Sequence, residues 1–355
     1  MLLFLSILKS ALWQTEDIPC RSLSEEELDN LLTLAQKQTV SALVIDALIR
    51  SKVKMPRQLL LKAFGRQSRI QQRNTQVDEG IVKLHNLFEE TNINYRVVKG
   101  QVVGSYYPNP QLRQSGDIDY YCDAQNYKKS LEVIRKAWRV EPKVEDSEKH
   151  AHFNLDGIIY EGHFALTTFY NKRKDDYWKR LIEEDCGVTI TISGAGIKTL
   201  SPTLHVLFVF LHLYHHLMEL GIGIRQFCDW AVILHYGKKE IDQHQLHLHL
   251  KVLGMEKAYC ACGSILTNSL GLPEQELGFS ISKRDRKYGK KVLSVVFYRG
   301  NMGHYNKHNG FKGWKHQLEA TIIKISHFLK FMPLAPDYSC RWLWHEFLRK
   351  VWRKL

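Results

Sequence analysis

Two carboxylates lie two residues apart in the run Ser115-Gly116-Asp117-Ile118-Asp119-Tyr120-Tyr121, and no other feature leaves this chain so few folds to choose from. Side chains alternate across a strand, so Asp117 and Asp119 share one face while Ile118 turns into a core. Side-by-side acids repel one another unless a cation sits between them. The chain must therefore supply both a sheet that buries Ile118 and a source of positive charge. Just upstream, Tyr95, Val97 and Val98 form an apolar run of strand length that stops at Lys99-Gly100, where the chain can turn into a helix. Lys99 and Arg113 bring cationic side chains to the same stretch. This combination describes a Mg²⁺ site that receives a polyphosphate.

The second informative stretch is His150 to Phe164, HAHFNLDGIIYEGHF. Asp156-Gly157 between two alternating runs is the favoured two-residue hairpin turn, because both positions must accept positive φ. That turn sets a register in which Leu155 faces Ile158, His152 faces Glu161 and His150 faces His163. One face then carries His150, His152, Asn154, Ile159, Glu161 and His163. Phe153, Leu155, Ile158 and Tyr160 take the other, apolar face. A wet outer face is the plain alternative for such a hairpin, but three histidines clustered with one acid argue against it.

The order strand, Lys99-Gly100, short helix, Tyr106-Tyr107-Pro108, Arg113, then Gly116-Asp117-Ile118-Asp119 resembles the family of uncharacterised bacterial nucleotidyltransferases within the polymerase-β-like superfamily. The resemblance runs more weakly from the middle of the preceding long helix to about Ile233. It implies transfer of a nucleotidyl group from a nucleoside triphosphate to a hydroxyl of an unassigned acceptor. The superfamily places a third carboxylate on a strand beside the paired aspartates, and Glu161-Gly162-His163 matches that position. The implied catalytic and metal set is Asp117, Asp119 and Glu161, holding Mg²⁺ with Mn²⁺ as an alternative. Lys99, Gly100, Gln101 and Arg113 are the expected triphosphate contacts, with His152 and His163 as further contacts to phosphate or acceptor. The superfamily signature has Gly followed by Gly or Ser, whereas Gln101 follows Gly100. A literal Gly104-Ser105 lies nearby, a helical turn past the strand end, where its amides would be used inside the helix.

An Asp-x-Asp alone is also found in nucleotide-sugar transferases, but those need a large βαβ array before it, and here only helical patterns precede. Ser24 and Glu27 form a capping box before Leu28, Leu31 and Leu32. Pro56 opens a long helix with an apolar stripe through Ala63, Val77, Ile81 and Leu84. Asp123 caps a helix through Trp138, and Val188 to Ser193 reads as the last strand of the sheet. Beyond Pro202 the pattern is helical, with helices expected over 203–220 and 224–236. The expected fold is therefore α+β, a small mixed sheet flanked by helical regions. Its expected divisions are a helical region over 1–90, the transferase core over 91–200, and a helical domain with a basic tail over 201–355.

His205, His212, His215 and His216 lie on or beside one face of a helix. No adjacent His-Asp pair of the kind metal-dependent phosphohydrolases use accompanies them, so they read as packed histidines. Arg225 and Asp229 read as an ion pair that locks a helix. A net charge of +13 leaves a nucleic-acid acceptor, an anionic membrane surface or simple triphosphate attraction open as its purpose. Lys283 to Lys291 reads as a solvated basic face, with phosphate contact as the alternative. Arg341 to Leu355 reads as a terminal helix docked on the protein or lying on a membrane. The apolar start, MLLFLSILKSALW, lacks a basic lead and a small-residue cleavage site, so a packed helix is expected there. No segment reaches the roughly 18 to 20 uncharged residues of a membrane span. Seven cysteines without metal-ligand spacing fit free thiols in a reducing cytoplasm, with peripheral attachment to the inner membrane as a further option. Two other readings are a catalytically idle relative that binds a nucleotide or partner, and a nucleic-acid-binding protein that works through its basic C-terminal region.

Overall fold

The computed structural model describes residues 1–16, 18–19, 22–144, 150–219, 221–299, 322, 325–338 and 340. The chain divides into two compact units. The first comprises Met1–Leu32, Val40–Thr167 and Lys179–His205, and the second Thr33–Thr39, Thr168–Trp178 and Val206–Leu355. The fold class is α+β.

In the first unit, helix α1 (Leu2–Trp13) buries Phe4, Leu5, Ile7, Leu8 and Leu12, so the apolar start packs as a helix. Helix α2 (Glu25–Lys37) begins at the expected capping box: the Ser24 amide donates to Glu27 Oε2 at 2.9 Å and the Glu27 amide to Ser24 Oγ at 3.2 Å. After α3 (Ser41–Arg50), the 34-residue α4 (Arg57–Glu90) starts directly behind Pro56. Pro56 fits there because the first helical turn leaves its amides unused. The stripe Val77, Ile81, Leu84 and Phe88 of α4 is the helical side of the core.

The opposite side of that core is a mixed sheet. Strand β1 (Arg96–Val98) pairs antiparallel with β2 (Ile118–Tyr121). Between them lie helix α5 (Gly100–Gly104) and a 3-10 turn (Pro110–Leu112). Helix α6 (Ala124–Trp138) is capped by Asp123, which accepts from the amides of Gln125 and Asn126. Strands β3 (Lys143–Val144), β4 (His150–Leu155) and β5 (Ile158–His163) complete a sheet ordered β1-β2-β5-β4-β3, in which β2 and β5 run parallel.

The β4–β5 hairpin has the register read from its turn: Leu155 opposite Ile158, His152 opposite Glu161 and His150 opposite His163. Asp156 and Gly157 both have positive φ, 53° and 76°, as a two-residue turn of this twist demands. Long α4 holds the hairpin tip through Lys83 Nζ, 2.8 Å from Asp156 Oδ2, and through Arg73, which donates to the Gly157 carbonyl at 3.0 Å. The helix also lies close on the sheet at Gly80, whose carbonyl accepts from Tyr160 at 3.3 Å. A Cβ there would stand 2.7 Å from the Tyr160 hydroxyl and 2.9 Å from Ile118 Cδ1.

Two expectations are corrected. Strand β2 begins at Ile118, so Asp117 stands in the irregular segment before it rather than on the ladder. Strand β6 (Val188–Ile192) does not close the sheet: it pairs with β7 (Ala195–Thr199) in a separate two-stranded hairpin. The turn Ser193-Gly194, with positive φ at both residues, sends the strand back on itself. Helix α7 (Lys172–Glu184) precedes this hairpin and spans the division between the two units.

The second unit is helical, with α8 (Pro202–Glu219) entering it at Val206, then α9 (Ile224–Tyr236), α10 (Gln243–Leu253), α11 (Glu256–Ser269), α12 (Glu274–Leu277) and α13 (Lys283–Arg299). Phe210, Trp230 and Tyr259 meet at its centre with ring centroids 4.8–5.1 Å apart, a spacing at which aromatic rings attract beyond simple burial. His212 and His216 pack edge to face, and His215 Nδ1 lies 2.8 Å from the Tyr338 hydroxyl. Asp229 is buried on α9. Lys283, Arg284, Lys287 and Lys290 of α13 are exposed, a solvated basic face. The basic segment 341–355 lies outside the described residues. No helix among the described residues is long and apolar enough to cross a membrane.

Candidate metal and nucleotide site

Strand alternation and one turn build the site. Because β2 and β5 run parallel with Asp119 level with Glu161, both carboxylates leave the sheet on the face opposite Ile118 and Tyr160, which sit in the core. His163 follows on the same face of β5, and His152 faces Glu161 from β4. Lys99 enters from the end of β1. Its backbone is unusual, φ 57° and ψ −141°, and Gly100 follows at φ 39°. A non-glycine residue held there stores about 1–3 kcal/mol of strain, which the surrounding packing must offset. The carbonyl of Asp117 passes 3.5 Å from where a Gly100 Cβ would stand, so the turn after β1 and the segment before β2 lie side by side.

Lys99 Nζ is 2.6 Å from Asp119 Oδ1, and His163 Nε2 is 2.9 Å from that same oxygen and 3.8 Å from Glu161 Oε2. Burial opposes the charge on Lys99, yet Asp119, Asp117 and Glu161 outweigh it and hold the ammonium pKa above its ordinary value. Three carboxylates from two chain segments therefore act on one cation. Burial would raise the Asp119 carboxyl, but Lys99 and His163 pull it down to about 2. His163 is driven the other way from a free imidazole: burial lowers its pKa more than Asp119 raises it. Side-chain exposure is 3% for Asp119, 13% for His163 and 16% for Lys99, but 30% for Glu161. Glu161 is thus the member turned furthest toward solvent.

Among the described residues, Asp119, Glu161 and His163 form a group whose ligand atoms lie within 4.8 Å of one another. Two carboxylates and an imidazole are donors that suit a divalent cation. Asp117 is outside that group, though its charge reaches Lys99. Arg113 is buried beside Gly104 of α5. Gly104 ends that helix, and the Ser105 amide is taken by the Gln101 carbonyl at 3.0 Å, so the alternative Gly-Ser pair has its serine amide already used.

A second polar cluster, not anticipated from the residue pattern, involves α4. Asn74 and Asp78, one helical turn apart on α4, are both buried. Asn74 Nδ2 donates to the carbonyls of Gln111 and Arg113 at 2.8 and 2.9 Å, and its Oδ1 accepts from the Ser115 amide at 3.3 Å. Asp78 accepts from the Gln101 and Gln111 side chains, and Ser115 donates to Gln101 Oε1. Burial raises the Asp78 carboxyl despite those two hydrogen bonds. The network ties α4 to α5 and to the loop that delivers Gly116-Asp117. Its only trace in the sequence is an Asn and an Asp at helical spacing inside an apolar stripe.

Gly162 was likewise missed. A Cβ there would stand 2.5 Å from Cζ of the Tyr120 ring, so glycine lets β5 carry Glu161 and His163 past that aromatic.

A family model described as "Uncharacterised nucleotidyltransferase" matches residues 24–270, a span that takes in every candidate site residue. Among solved structures, an antigenic nucleotidyltransferase-like protein from Paracoccidioides brasiliensis is similar at 16% identity and a TM-score of 0.34, over 56% of this chain and 92% of that one. No curated protein matches the chain.

Proposed function

This chain belongs to the family of uncharacterised nucleotidyltransferases, and on that premise we propose that it moves a nucleoside monophosphate from a nucleoside triphosphate to a hydroxyl of an acceptor. The hydroxyl oxygen forms a bond to the α-phosphorus, the bond to the bridging oxygen of the β-phosphate breaks, and pyrophosphate leaves. The observation that carries this reading is the gathering of Asp119, Glu161 and His163, donor atoms within 4.8 Å of one another, with Lys99 Nζ 2.6 Å from Asp119 Oδ1 and Asp117 in the segment just before β2. A module that only binds a partner has no need of two carboxylates and an imidazole gathered where a divalent cation fits.

Asp119 and Glu161, with Asp117 beside them, would hold the divalent cation, Mg²⁺ or Mn²⁺. When bound, that cation would neutralise phosphate charge and stabilise the charge that develops on transfer. Lys99, now on Asp119, would turn its ammonium to a phosphate oxygen as the triphosphate enters. The Lys99-Gly100 turn would let backbone approach the phosphates closely, with the Gly100 and Gln101 amides as donors, and Arg113 would add positive charge from behind α5. Glu161, more open than Asp119, would accept the acceptor's proton. His152, level with Glu161, would contact the acceptor or a phosphate. In this reading residues 91–200 carry the chemistry and the flanking helical regions 1–90 and 201–355 brace it.

The test is incubation of the protein with each of the four α-labelled nucleoside triphosphates and a divalent cation in cell extract, followed by mass analysis of whatever gains a nucleotide. Label on an acceptor that disappears in Asp117→Asn and Asp119→Asn is the expected result. Labelling unchanged in those variants would overturn the assignment.

A further inference from the structure

The reading above, on which this inference rests, places carboxylates around a divalent cation. We propose that His163 supplies a nitrogen ligand to that cation, making an O,O,N site that favours a first-row transition dication such as Mn²⁺ over Mg²⁺.

The argument starts from the strand. Residue 163 of β5 is level with Tyr121, not with Asp119. A side chain standing straight off the sheet would meet the Tyr121 side chain. Instead the His163 ring crosses diagonally, and Nε2 stops 2.9 Å from Asp119 Oδ1 and 3.8 Å from Glu161 Oε2. With metal–ligand bonds of about 2.1 Å, adjacent donors in an octahedron are about 3 Å apart and opposite ones about 4.2 Å. The 2.9 Å separation matches adjacent donors, and 3.8 Å lies between the adjacent and opposite spacings, so a rotamer adjustment of partly exposed Glu161 would complete the set. The third carboxylate does not take this place: Asp117 precedes the strand and is not one of the three residues whose donors cluster within 4.8 Å.

The donor set then decides the ion. Mg²⁺ prefers oxygen ligands and keeps several waters, whereas imidazole best suits the later first-row dications, and Mn²⁺, the hardest of that row, still accepts it more readily than Mg²⁺. A site of oxygen donors alone would bind both classes with a modest preference. An imidazole held against a carboxylate adds an affinity that Mg²⁺ cannot use. His150 packs beside the ring, its centroid 5.3 Å from that of His163.

Pulsed electron paramagnetic resonance of the Mn²⁺-loaded full chain reads the ligand directly. The expected result is a ¹⁴N coupling to the bound ion in the wild type that becomes a ¹⁵N coupling when histidine is ¹⁵N-labelled. In His163→Gln the coupling should vanish while Mn²⁺ affinity falls about tenfold or more and Mg²⁺ affinity stays nearly constant. Asp119→Asn should lose binding of both ions. Mn²⁺ bound without nitrogen coupling, or an unchanged Mn²⁺ to Mg²⁺ affinity ratio in His163→Gln, would overturn the inference and leave nucleotidyl transfer by carboxylates standing. Failure of the wild type to bind either ion, with or without a non-hydrolysable triphosphate, would overturn both.

Discussion

Two buried polar clusters in the first unit are built from similar side chains to opposite ends. The one on the sheet, Lys99, Asp119, Glu161 and His163, gathers charge and leaves Glu161 facing solvent. The one against α4, with Asn74, Asp78, Gln101, Gln111 and Ser115, gathers amides and a single acid. Asn74 and Asp78 there each use both ends of their side chains within the protein. Hydrogen-bonding capacity that closes on itself stiffens a fold, and losing it leaves buried groups unmet at about 1–3 kcal/mol each. The sheet cluster instead pairs its charges, Lys99 and His163 keeping the Asp119 carboxyl ionised, and leaves Glu161 open to a ligand. On the proposed function, the contrast reads as chemistry in the sheet cluster and positioning in the helix cluster.

Substitutions can break that contrast. Asp119→Asn should have the largest effect on activity, a loss of roughly 10²- to 10³-fold or more in nucleotidyl transfer, with the folded state retained by circular dichroism. A variant that simply unfolds would remove the distinction between the clusters. Asn74→Ala should do the opposite, lowering unfolding free energy by about 1–3 kcal/mol in denaturant titration while the remaining folded molecules keep measurable transfer. Gly162→Ala sits between the two classes. Its methyl meets the rigid Tyr120 ring, so it should cost about 1–3 kcal/mol and also reduce transfer by displacing Glu161 and His163, both read from the same purified variant. Charge reversal at exposed Lys287 and Lys290 should have the smallest effect. Transfer should stay within about twofold at physiological salt, where exposed charges that do not touch substrate are screened. A steep loss would instead mark α13 as part of the acceptor site.

How far each cluster could be read from the sequence follows the same division. Period-two alternation and the Asp156-Gly157 turn fix which side chains share a face, so the His152–Glu161 pairing and the apolar side with Phe153, Ile158 and Tyr160 were legible residue by residue. Helix ends with their own chemistry were legible too, at Ser24, Pro56 and Asp123. The end of the sheet was not, because Val188 to Ile192 carries the same alternation whether it joins the main sheet or pairs with β7. Asn74 and Asp78 escaped because their partners lie 23 to 41 residues away, and a polar residue in a helical stripe looks the same whether it faces water or a loop. The face and register of His163 were legible, but its diagonal reach to Asp119 depends on a side-chain rotamer that alternation does not specify. Gly162 was hidden for a related reason: its need arises from one ring on a neighbouring strand.

The most direct test of the central claim compares two labels on one triphosphate with the same purified chain, divalent cation and extract. Nucleotidyl transfer predicts that α-label moves to the acceptor while γ-label leaves only as pyrophosphate, and that both signals are lost together in Asp119→Asn. Label reaching the acceptor from the γ-position, or α-label moving undiminished in Asp119→Asn, would contradict it.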